Sequence, residues 1–366
     1  MNARISSTGF LVVLAVCMVL AAGCMDSSAQ GRVAASPSPA PAVTGTTVGA
    51  SGISGGNCTP LTITQTDGTP ITLPCHPKRI IVANGNAAEM MIAIGAQDEI
   101  VGVTQTTTNV SYIMDKIPQA ENIGDWQVPN IERILSLHPD AVIAYSSYKP
   151  KNLDQLTAAN ITVISLDCYK LATLPSDART LGILTGRSNE AEVYARMVED
   201  TIAEVTGRVK KIPEDSYPSV YSESYTDYTV SGPGSGADEQ LHLAGGKNIA
   251  ADVTTSSAKI STEWVVARKP EYIFKVISST NLEPFPEIAE ALRSRMGWDT
   301  IPAVKNDRVY LFANDVEYGP RAYIGLVYKA QLLHPDEFRD LHPREMLDEY
   351  AGRYVSGTNG TMMVYP

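Results

Sequence analysis

The fold is indicated first by the stretch Glu132-Arg-Ile-Leu-Ser-Leu-His-Pro-Asp-Ala-Val-Ile143, whose pattern returns in Glu263-Trp-Val-Val-Ala-Arg-Lys-Pro-Glu-Tyr-Ile-Phe274. Each stretch runs from Glu to Pro in seven steps with the apolar spacing of a helix, and a short apolar run follows. Proline disfavours helix in the residue before it, so each stretch predicts a helix that ends near the Pro and then a buried strand. Two copies indicate a duplication; a chance likeness is the alternative, because helix–proline–strand is a common succession.

A second pair of helical turns precedes this pair in both halves of the chain. It consists of Glu89-Met-Met-Ile-Ala-Ile-Gly95 and Glu239-Gln-Leu-His-Leu-Ala-Gly245. A glycine closes each turn and can take the left-handed conformation that ends many helices. Because the two patterns occur in the same order in both halves, we expect two related lobes.

Short apolar strands alternate with helices around these units. The predicted strands lie at 80–83, 100–103, 141–145 and 161–166 in the first lobe and at 219–222, 272–276 and 309–312 in the second. Helices between short apolar strands are typical of parallel sheets that are covered on both faces. The predicted fold class is therefore α/β, with two lobes that each contain a central, mainly parallel sheet flanked by helices.

One long amphipathic helix is predicted to join the lobes. Apolar residues recur at steps of three and four from Tyr194 to Val209, after Ser188 as a candidate N-cap and before Pro213. Two parallel-sheet lobes on one helix form a cleft between the carboxyl ends of their strands, where ligands bind in open α/β sheets. Since one helix is stiffer than paired strand hinges, we expect only a small closure on ligand binding.

The N-terminal segment predicts export and anchoring. Arg4 precedes an apolar run ending in Leu20-Ala-Ala-Gly-Cys24, which is shorter than a membrane span of about 20 residues and typical of a secretory signal. The Cys after Ala-Ala-Gly resembles a lipobox. This implies a lipoprotein signal peptide at 1–23, lipidation of Cys24 and an anchor on the extracytoplasmic face of the cell membrane. Ordinary signal cleavage beside an unrelated Cys is the alternative.

Composition divides the rest of the chain and limits its partners. Residues 24–57 are rich in Ser, Ala, Pro, Gly and Thr and predict a disordered tether. We expect an N-terminal lobe at 58–186, the bridging helix at 187–212 and a C-terminal lobe at 213–366. A hydrophobic content of 44% indicates a globular body. The net charge of −11 argues against nucleic acid, whose recognition needs clustered Lys and Arg.

Three cysteines are left in the predicted mature body. An odd count outside the cytoplasm suggests one disulfide and one free thiol. Cys58 and Cys75 flank a hairpin-like stretch around Asp67-Gly68, a strong turn signal, so they are the candidate pair. A two-residue turn there would place Pro60 opposite Cys75, and the disulfide therefore needs a bulge or a longer loop. Cys168 would be free.

From Ile80 to Tyr354 the chain resembles the helical-backbone class of binding proteins that serve ABC importers for ferric siderophores, haem and cobalamin. The resemblance rests on the order and spacing of short motifs: Asn130-Ile-Glu132, Leu137–Ile143, Leu243–Ile249, Trp298–Pro302, Lys305–Tyr310 and Gly319-Pro-Arg321. It implies that the protein captures a small metal chelate and delivers it to a permease dimer with ATPase subunits, without a cofactor of its own.

The resemblance also implies a permease-docking pair. Each lobe of the family docks through one exposed Glu, and the matching positions are Glu132 and Glu263. Both are expected in the first turn of a helix, where the helix dipole stabilises a carboxylate. The alternative is that both are ordinary first-turn residues without a docking role.

The turns after the predicted strands form the candidate ligand site. Trp126-Gln127 resembles the cobalamin-binding members, in which a Trp at this place packs on the corrin; packing inside the lobe is the alternative. The 17 tyrosines are unusually many, and a phenol offers a flat apolar face with a polar tip. Corrinoid and ferric chelate both stay open. The predicted ligand-binding residues are Asn84, Asn86, Trp126, Gln127, Tyr145, Tyr148, Tyr169, Tyr225, Glu317 and Arg321.

Other function classes are disfavoured or left open. Gly52-Ile-Ser-Gly-Gly56 lies in or beside the tether, without the strand–turn–helix context of a hydrolase nucleophile. The turn Ser231–Gly236 lacks the Lys of a phosphate-binding loop and is expected beside the cleft. We therefore predict that the protein is not an enzyme, and no His has the spacing of a metal site. Ferric binding by tyrosines with Glu317 or Asp315, and a sensor or scavenger without a permease, stay open.

Overall fold

The computed structural model describes residues 58–278, 284–355 and 363–366. The predicted signal peptide, the lipidation site Cys24 and the tether lie outside these residues. Among the described residues, none of the helices combines the length and the apolar character that crossing a membrane requires.

A short hairpin opens the described chain and leads into the first sheet. The elements of this half are β1 (Leu61–Thr64), β2 (Pro70–Leu73), β3 (Ile80–Val82), α1 (Gly85–Ala93), β4 (Ile100–Val103), α2 (Gln105–Thr108), α3 (Ser111–Met114), β5 (Glu121–Asn122), α4 (Ile131–Ser136), β6 (Ala141–Ala144), α5 (Leu153–Ala158), β7 (Thr162–Ser165) and α6 (Leu174–Thr185). The sheet has the order β5-β4-β3-β6-β7, and every pairing is parallel.

The second half starts with the longest of these helices. Its elements are α7 (Ser188–Val209), β8 (Ser219–Glu223), β9 (Thr229–Ser231), α8 (Gly236–Leu243), β10 (Lys247–Asn248), β11 (Ser257–Lys259), α9 (Thr262–Arg268), β12 (Tyr272–Ile277), α10 (Phe285–Arg293), α11 (Pro302–Lys305), β13 (Val309–Ala313), α12 (Asn314–Glu317), α13 (Ala322–Leu333), α14 (Pro343–Arg353) and β14 (Val364–Tyr365). In its sheet β8, β10, β12 and β13 pair in parallel, while β9, β11 and β14 are added antiparallel.

The predicted architecture is confirmed. All seven predicted strands are present, and the α/β fold has two sheets with the long helix α7 between them in the chain. The two expected helix-closing glycines are left-handed, with φ of 77° at Gly95 and 74° at Gly245. Ser188 is the first residue of α7 rather than its cap, a position that Arg187 occupies without a side-chain hydrogen bond.

The two sheets share one buried core. Its largest cluster contains Ile80 of β3, Val198 of α7 and Phe274 of β12. Smaller clusters cover the other faces of the sheets, around Val142 in the first lobe and Trp298 in the second. Because interiors are close-packed, a shared core resists large rotation of the lobes, which is consistent with the expected small closure.

The hairpin carries the disulfide. Cys58 and Cys75 are joined, with their Cα atoms 5.2 Å apart, and Cys168 is buried and free. Leu61 pairs with Leu73 and Thr64 with Pro70, so the loop between the strands is longer than the two-residue turn that Asp67-Gly68 suggests. The longer loop that the pairing requires is therefore present.

Candidate ligand-binding cleft

A cavity of about 860 Å³ lies between the two lobes. Ala83 and Tyr145 line it directly after β3 and β6, while Ser224, Ser278 and Asn314 line it directly after β8, β12 and β13. The carboxyl ends of both parallel sheets therefore open into one space, as the topology predicts. The volume lies within the range of about 300–1,000 Å³ that is usual for small-molecule sites.

Seven of the ten predicted ligand-binding residues line this cavity. Trp126 is half-buried in its wall rather than in a lobe core, and Gln127 next to it is exposed. The seven residues are Asn86, Trp126, Gln127, Tyr145, Tyr148, Tyr169 and Tyr225. The structure thus brings them together, although their contact with a ligand stays a prediction.

Five aromatic rings form a continuous row across the cleft. Trp126 lies 5.6 Å from Tyr145, measured between ring centroids, and Tyr145 lies 6.3 Å from Tyr169. The row crosses to the opposite lobe between Tyr169 and Tyr318, which are 6.3 Å apart, and Tyr318 is 6.2 Å from Tyr225 of its own lobe. Contacts of this kind hold the rings in defined orientations. The row therefore offers a connected aromatic surface that spans both lobes.

The phenols of this row are held in the neutral form. Burial raises the pKa of Tyr145 and Tyr169 above the ordinary value, and it raises the pKa of Tyr318 well above that value. Desolvation disfavours the charged phenolate. These side chains therefore present apolar faces and hydroxyl groups rather than anionic oxygen ligands.

Asn84 has a structural role and does not line the cavity, so the expected ligand contact stays a prediction that this structure does not support. It is fully buried, and its Oδ1 accepts from the backbone N–H of Asn86 at the start of α1. Its Nδ2 donates to the carbonyl oxygens of Leu166 and Asp167 at 2.7 and 3.0 Å. Asn84 therefore ties the end of β3 to the turn after β7.

Glu317 and Arg321 also lie behind the cavity wall, not on it. Glu317 is 2% exposed and pairs with Lys329, with Oε1 and Nζ 2.7 Å apart. Arg321 is 1% exposed and pairs with Glu89, with Nε and Oε1 2.8 Å apart. A charge buried in such a pair has its partner already and does not face a ligand. In this structure neither residue lines the cavity, and direct ligand contact by either one stays a prediction.

Buried charges also hold the loop that carries Tyr225. The Nζ of Lys275 donates to the carbonyl oxygens of Ser224 and Tyr225 at 2.9 and 3.1 Å. Lys275 in turn pairs with Glu223, which is fully buried, at 2.8 Å. Arg295 donates to both carboxylate oxygens of Glu223. The end of β8 and the loop after it are thus fixed by charge-assisted hydrogen bonds.

Sequence reasoning missed several cavity residues. Lys170 directly follows the predicted Tyr169, and Thr104 directly follows β4, so the strand-end rule could have found both. The turn Ser231–Gly236 lies beside the cleft, as expected, and contributes Ser231, Ser235 and both adjoining glycines. Ser257 begins the antiparallel strand β11 and Ser256 directly precedes it, and the sequence gave no clear signal for this strand.

The predicted docking residues occupy equivalent positions in the two lobes. Glu132 and Glu263 are exposed in the first turns of α4 and α9. Asn130 caps α4 by accepting from the N–H of Arg133, and Ser261 caps α9 by accepting from the N–H of Trp264. Hydrogen bonds from the backbone N–H of Glu263 and from Ser261 lower the pKa of Glu263. Its carboxylate is therefore charged at neutral pH.

A family model described as "Periplasmic binding protein" matches residues 80–316. The matched segment covers the first sheet, the second sheet except β14, the long helix and most of the cleft. The chain belongs to this family. The resemblance recognised from the short motifs, to substrate-binding proteins of ABC importers with a helical backbone, is thereby confirmed.

Known proteins are similar over most of this chain. A Bacillus subtilis (strain 168) protein named uncharacterized ABC transporter substrate-binding lipoprotein YvrC is 29% identical over 290 residues, which are 77% of this chain and 88% of that protein. A cobalamin-binding protein of Halobacterium salinarum is 29% identical over 230 residues, 61% of this chain and 60% of that one. The solved structure of the molybdate-binding protein MolA of Haemophilus influenzae shares the fold, with a TM-score of 0.69, 20% identity, and coverage of 80% of this chain and 97% of that one.

Proposed function

We propose that this periplasmic binding protein is the lipid-anchored, extracytoplasmic receptor of an ABC importer that takes up a metal chelate, with a corrinoid as the first candidate. The observation that carries the proposal is the position of Trp126. It lies in the cavity wall at one end of the aromatic row, six residues before the docking residue Glu132.

The cleft suits a large, flat ligand. Tyr148 and Tyr225 are 58% and 49% exposed, although both line a cavity between two lobes. Large aromatic side chains left open in a concave site supply contact area to a ligand at low entropic cost. A corrin ring has a flat apolar face and polar amide edges, and one relative with similar sequence is named a cobalamin-binding protein.

Delivery is assigned to Glu132 and Glu263. Each is an exposed carboxylate in the first turn of a capped helix, one in each lobe. Two such carboxylates can form ion pairs with cations on the two halves of a permease dimer, whose ATPase subunits then drive transport. The YvrC protein is named a lipoprotein, which supports the proposal that Cys24 carries the anchor.

The ligand assignment is tested by titrating the purified protein with cyanocobalamin, haemin and several ferric siderophores while tryptophan fluorescence is recorded. We expect tight quenching by cyanocobalamin and a loss of about 10-fold or more in affinity in Trp126→Ala, since truncation of a buried aromatic anchor commonly costs more than about 1–2 kcal/mol. Trp264→Phe is the matched control, because Trp264 lies in the docking helix α9 and not in the cavity wall. Tight binding of ferric siderophores alone would replace the corrinoid assignment with iron uptake.

The docking assignment is tested by reversing both carboxylates. Glu132→Arg with Glu263→Arg should abolish uptake into cells and leave ligand affinity within about 2-fold, since neither residue lines the cleft. Glu287→Arg is the control, because Glu287 is an exposed first-turn Glu on α10. Unchanged uptake in the double variant would favour a sensor or scavenger that works without a permease.

Direct binding of ferric ions is less well supported. Such a site needs phenolate and carboxylate ligands, but burial raises the pKa of Tyr145 and Tyr318. The nearby carboxylates are engaged behind the wall, Glu317 with Lys329 and Asp315 with Tyr112. Among the described residues no group of three or more His, Cys, Asp or Glu is placed to hold a metal ion. These observations favour a chelate over a bare ion.

A further inference from the structure

Aromatic rings and short hydroxyl side chains both line the cleft. The N-terminal lobe supplies Trp126, Tyr145, Tyr148 and Tyr169, and Tyr318 and Tyr225 continue the aromatic row on the C-terminal lobe. The C-terminal lobe also supplies a group of serines, the serine wall, which consists of Ser224, Ser231, Ser235, Ser256, Ser257 and Ser278. A ligand in the cleft therefore meets rings from both lobes and a concentration of short hydrogen-bonding side chains from the second.

Part of the serine wall lacks hydrogen-bond partners within the protein. Ser231 is 3% exposed, and its carbonyl oxygen accepts from Asn248, but no described residue bonds its hydroxyl. The hydroxyls of half-buried Ser224 and exposed Ser257 likewise bond no residue in the described parts of the chain. Covering such a hydroxyl with a ligand costs free energy unless the ligand bonds it. These serines are therefore available to bond the edge of a ligand.

The cleft carries almost no net charge. Lys170 is the one charged residue among the described residues that line it. Its charge acts on Glu239 of the opposite lobe, where it partly opposes the rise in pKa that burial imposes on that carboxyl. Glu239 also accepts from the backbone N–H of Ala172 at 2.9 Å. Because Ala172 is two residues after Lys170, this hydrogen bond holds the Glu239 carboxyl near the segment that carries Lys170. The positive charge of Lys170 is thus partly compensated by Glu239.

The cleft offers few cationic side chains to balance the charge of a polyanionic ligand. Taking several negative charges out of water is costly unless cations replace the lost hydration. The cationic side chains Arg295, Arg321 and Lys329 lie in buried ion pairs behind the walls and are not available. An uncharged ligand with amide or similar groups at its edge pays no such cost and can use the serine wall.

We propose, within the receptor function proposed above, that the cleft selects a chelate that is planar and without net charge: the aromatic row contacts its flat face, and the serine wall bonds its polar rim. Trianionic ferric tris-catecholates and the dicarboxylate haemin are disfavoured.

The proposal is tested by calorimetric titration of the whole mature protein with four probes: cyanocobalamin, an uncharged ferric tris-hydroxamate, haemin and a ferric tris-catecholate. We expect cyanocobalamin, which has a flat corrin and no net charge, to bind best, with an affinity that changes less than about 2-fold between about 0.05 and 0.5 M NaCl, because screening acts only on charge. The tris-catecholate should bind about 100-fold more weakly or not at all. Preferential binding of haemin or the tris-catecholate would overturn the selection against charge, and preferential binding of the octahedral tris-hydroxamate would overturn the selection for a planar ligand.

Variants of the serine wall test its role directly. Ser224→Ala with Ser257→Ala should weaken the best uncharged probe by about 25-fold, since each lost hydrogen bond is worth about 5-fold. Ser216→Ala is the control, because the Ser216 hydroxyl bonds the carbonyl oxygen of Pro213 away from the cleft. Ser257→Arg should strengthen haemin binding by supplying a cation. An unchanged affinity in the double variant would contradict the serine-wall role.

The outcomes separate this proposal from the function on which it rests. If a polyanionic chelate binds best while Glu132→Arg with Glu263→Arg still blocks its uptake, the receptor function stands and charge selection is wrong. If no chelate of any charge binds, both the receptor assignment and the selection are wrong.

Discussion

Arg321 and Glu89 form a buried ion pair between the two halves of the molecule, 232 residues apart in the chain. The Nε and Nη2 of Arg321 donate to the two carboxylate oxygens of Glu89 at 2.8 and 2.9 Å. Glu89 lies on α1 of the first lobe, and Arg321 directly precedes α13 of the second. Tyr350 also donates its hydroxyl to Glu89, at 2.9 Å. The contact fixes the lobes to each other behind the cleft.

Removing one partner of this pair should destabilise the protein strongly. Arg321→Met leaves the Glu89 carboxylate buried without a cation, and we expect the free energy of unfolding to fall by about 3–5 kcal/mol. Urea denaturation measures the change. Glu89→Gln with Arg321→Met should recover part of the loss, whereas Arg339→Met, which breaks an exposed pair with Asp336, should cost less than about 1 kcal/mol. Equal losses in Arg321→Met and Arg339→Met would show that the buried pair contributes no more to the free energy of unfolding than an exposed pair does.

This ion pair marks the limit of what the sequence predicts. Strands, helix-closing glycines and the duplicated units are set by neighbouring residues, and the strand and turn patterns were sufficient to locate them. Arg321 was assigned to the ligand because it follows the last strand, but its partner Glu89 comes from the other end of the chain. The same holds for Asn84, whose amide bonds the turn after β7. A local sequence pattern shows that such a side chain lies near the cleft. It does not show which residue becomes its hydrogen-bond or ion-pair partner.

The ligand site likewise contains residues that the sequence predicts and residues that it does not. Tyr145 and Tyr169 follow parallel strands of the first lobe and were predicted from that position. Within the serine wall, Ser256 and Ser257 were missed, because they reach the cleft at the start of β11, which is added to the second sheet through antiparallel pairing. Short polar strands such as β11 carry no apolar alternation, so their pairing is decided by tertiary contacts.

The disulfide should add stability without affecting the ligand. Cys58 and Cys75 are 17 residues apart, and closing a loop of that size contributes about 3 kcal/mol by restricting the unfolded chain. Cys58→Ser with Cys75→Ser should therefore lower the free energy of unfolding by about 2–4 kcal/mol in urea. Reductant should lower the wild-type value to the same level and leave the variant unchanged. A reductant effect in the variant would mean that another thiol pair is involved.

Asp167 should be needed for ligand affinity as well as for stability. Its Oδ1 accepts from the N–H groups of Ser146 and Ser147 at 2.8 and 2.9 Å, and its Oδ2 accepts from the Ser147 hydroxyl. This holds the loop that carries Tyr148 into the cleft. We expect Asp167→Ala to weaken the binding of whichever chelate binds best by about 10-fold in calorimetric titration, because the loop loses its anchor.

A matched control is available in the same lobe. Asp140 also accepts from two backbone N–H groups, those of Lys78 and Arg79, but does not line the cleft. Asp140→Ala should cost a similar free energy of unfolding, on the order of 1–3 kcal/mol, and leave ligand affinity unchanged. If both variants lost affinity equally, the effect would be one of general stability and not of the loop.

Asp177 should give the protein a specific dependence on pH. It is 1% exposed, and burial raises its pKa from 3.8 to about 6, although hydrogen bonds from Thr66 and the Cys168 N–H oppose the rise. Because the folded state then holds this proton more tightly than the unfolded state, the contribution of Asp177 to stability is full below about pH 4 and is lost as the pH rises through about 6. The loss is at most ~3 kcal/mol, from about 1.4 kcal/mol per pKa unit.

Urea denaturation of the wild type and Asp177→Asn across this range isolates the effect, since only the wild type should weaken in this way. A wild type that instead gains stability over the variant as the pH rises would show that the hydrogen bonds, not burial, set the charge of Asp177.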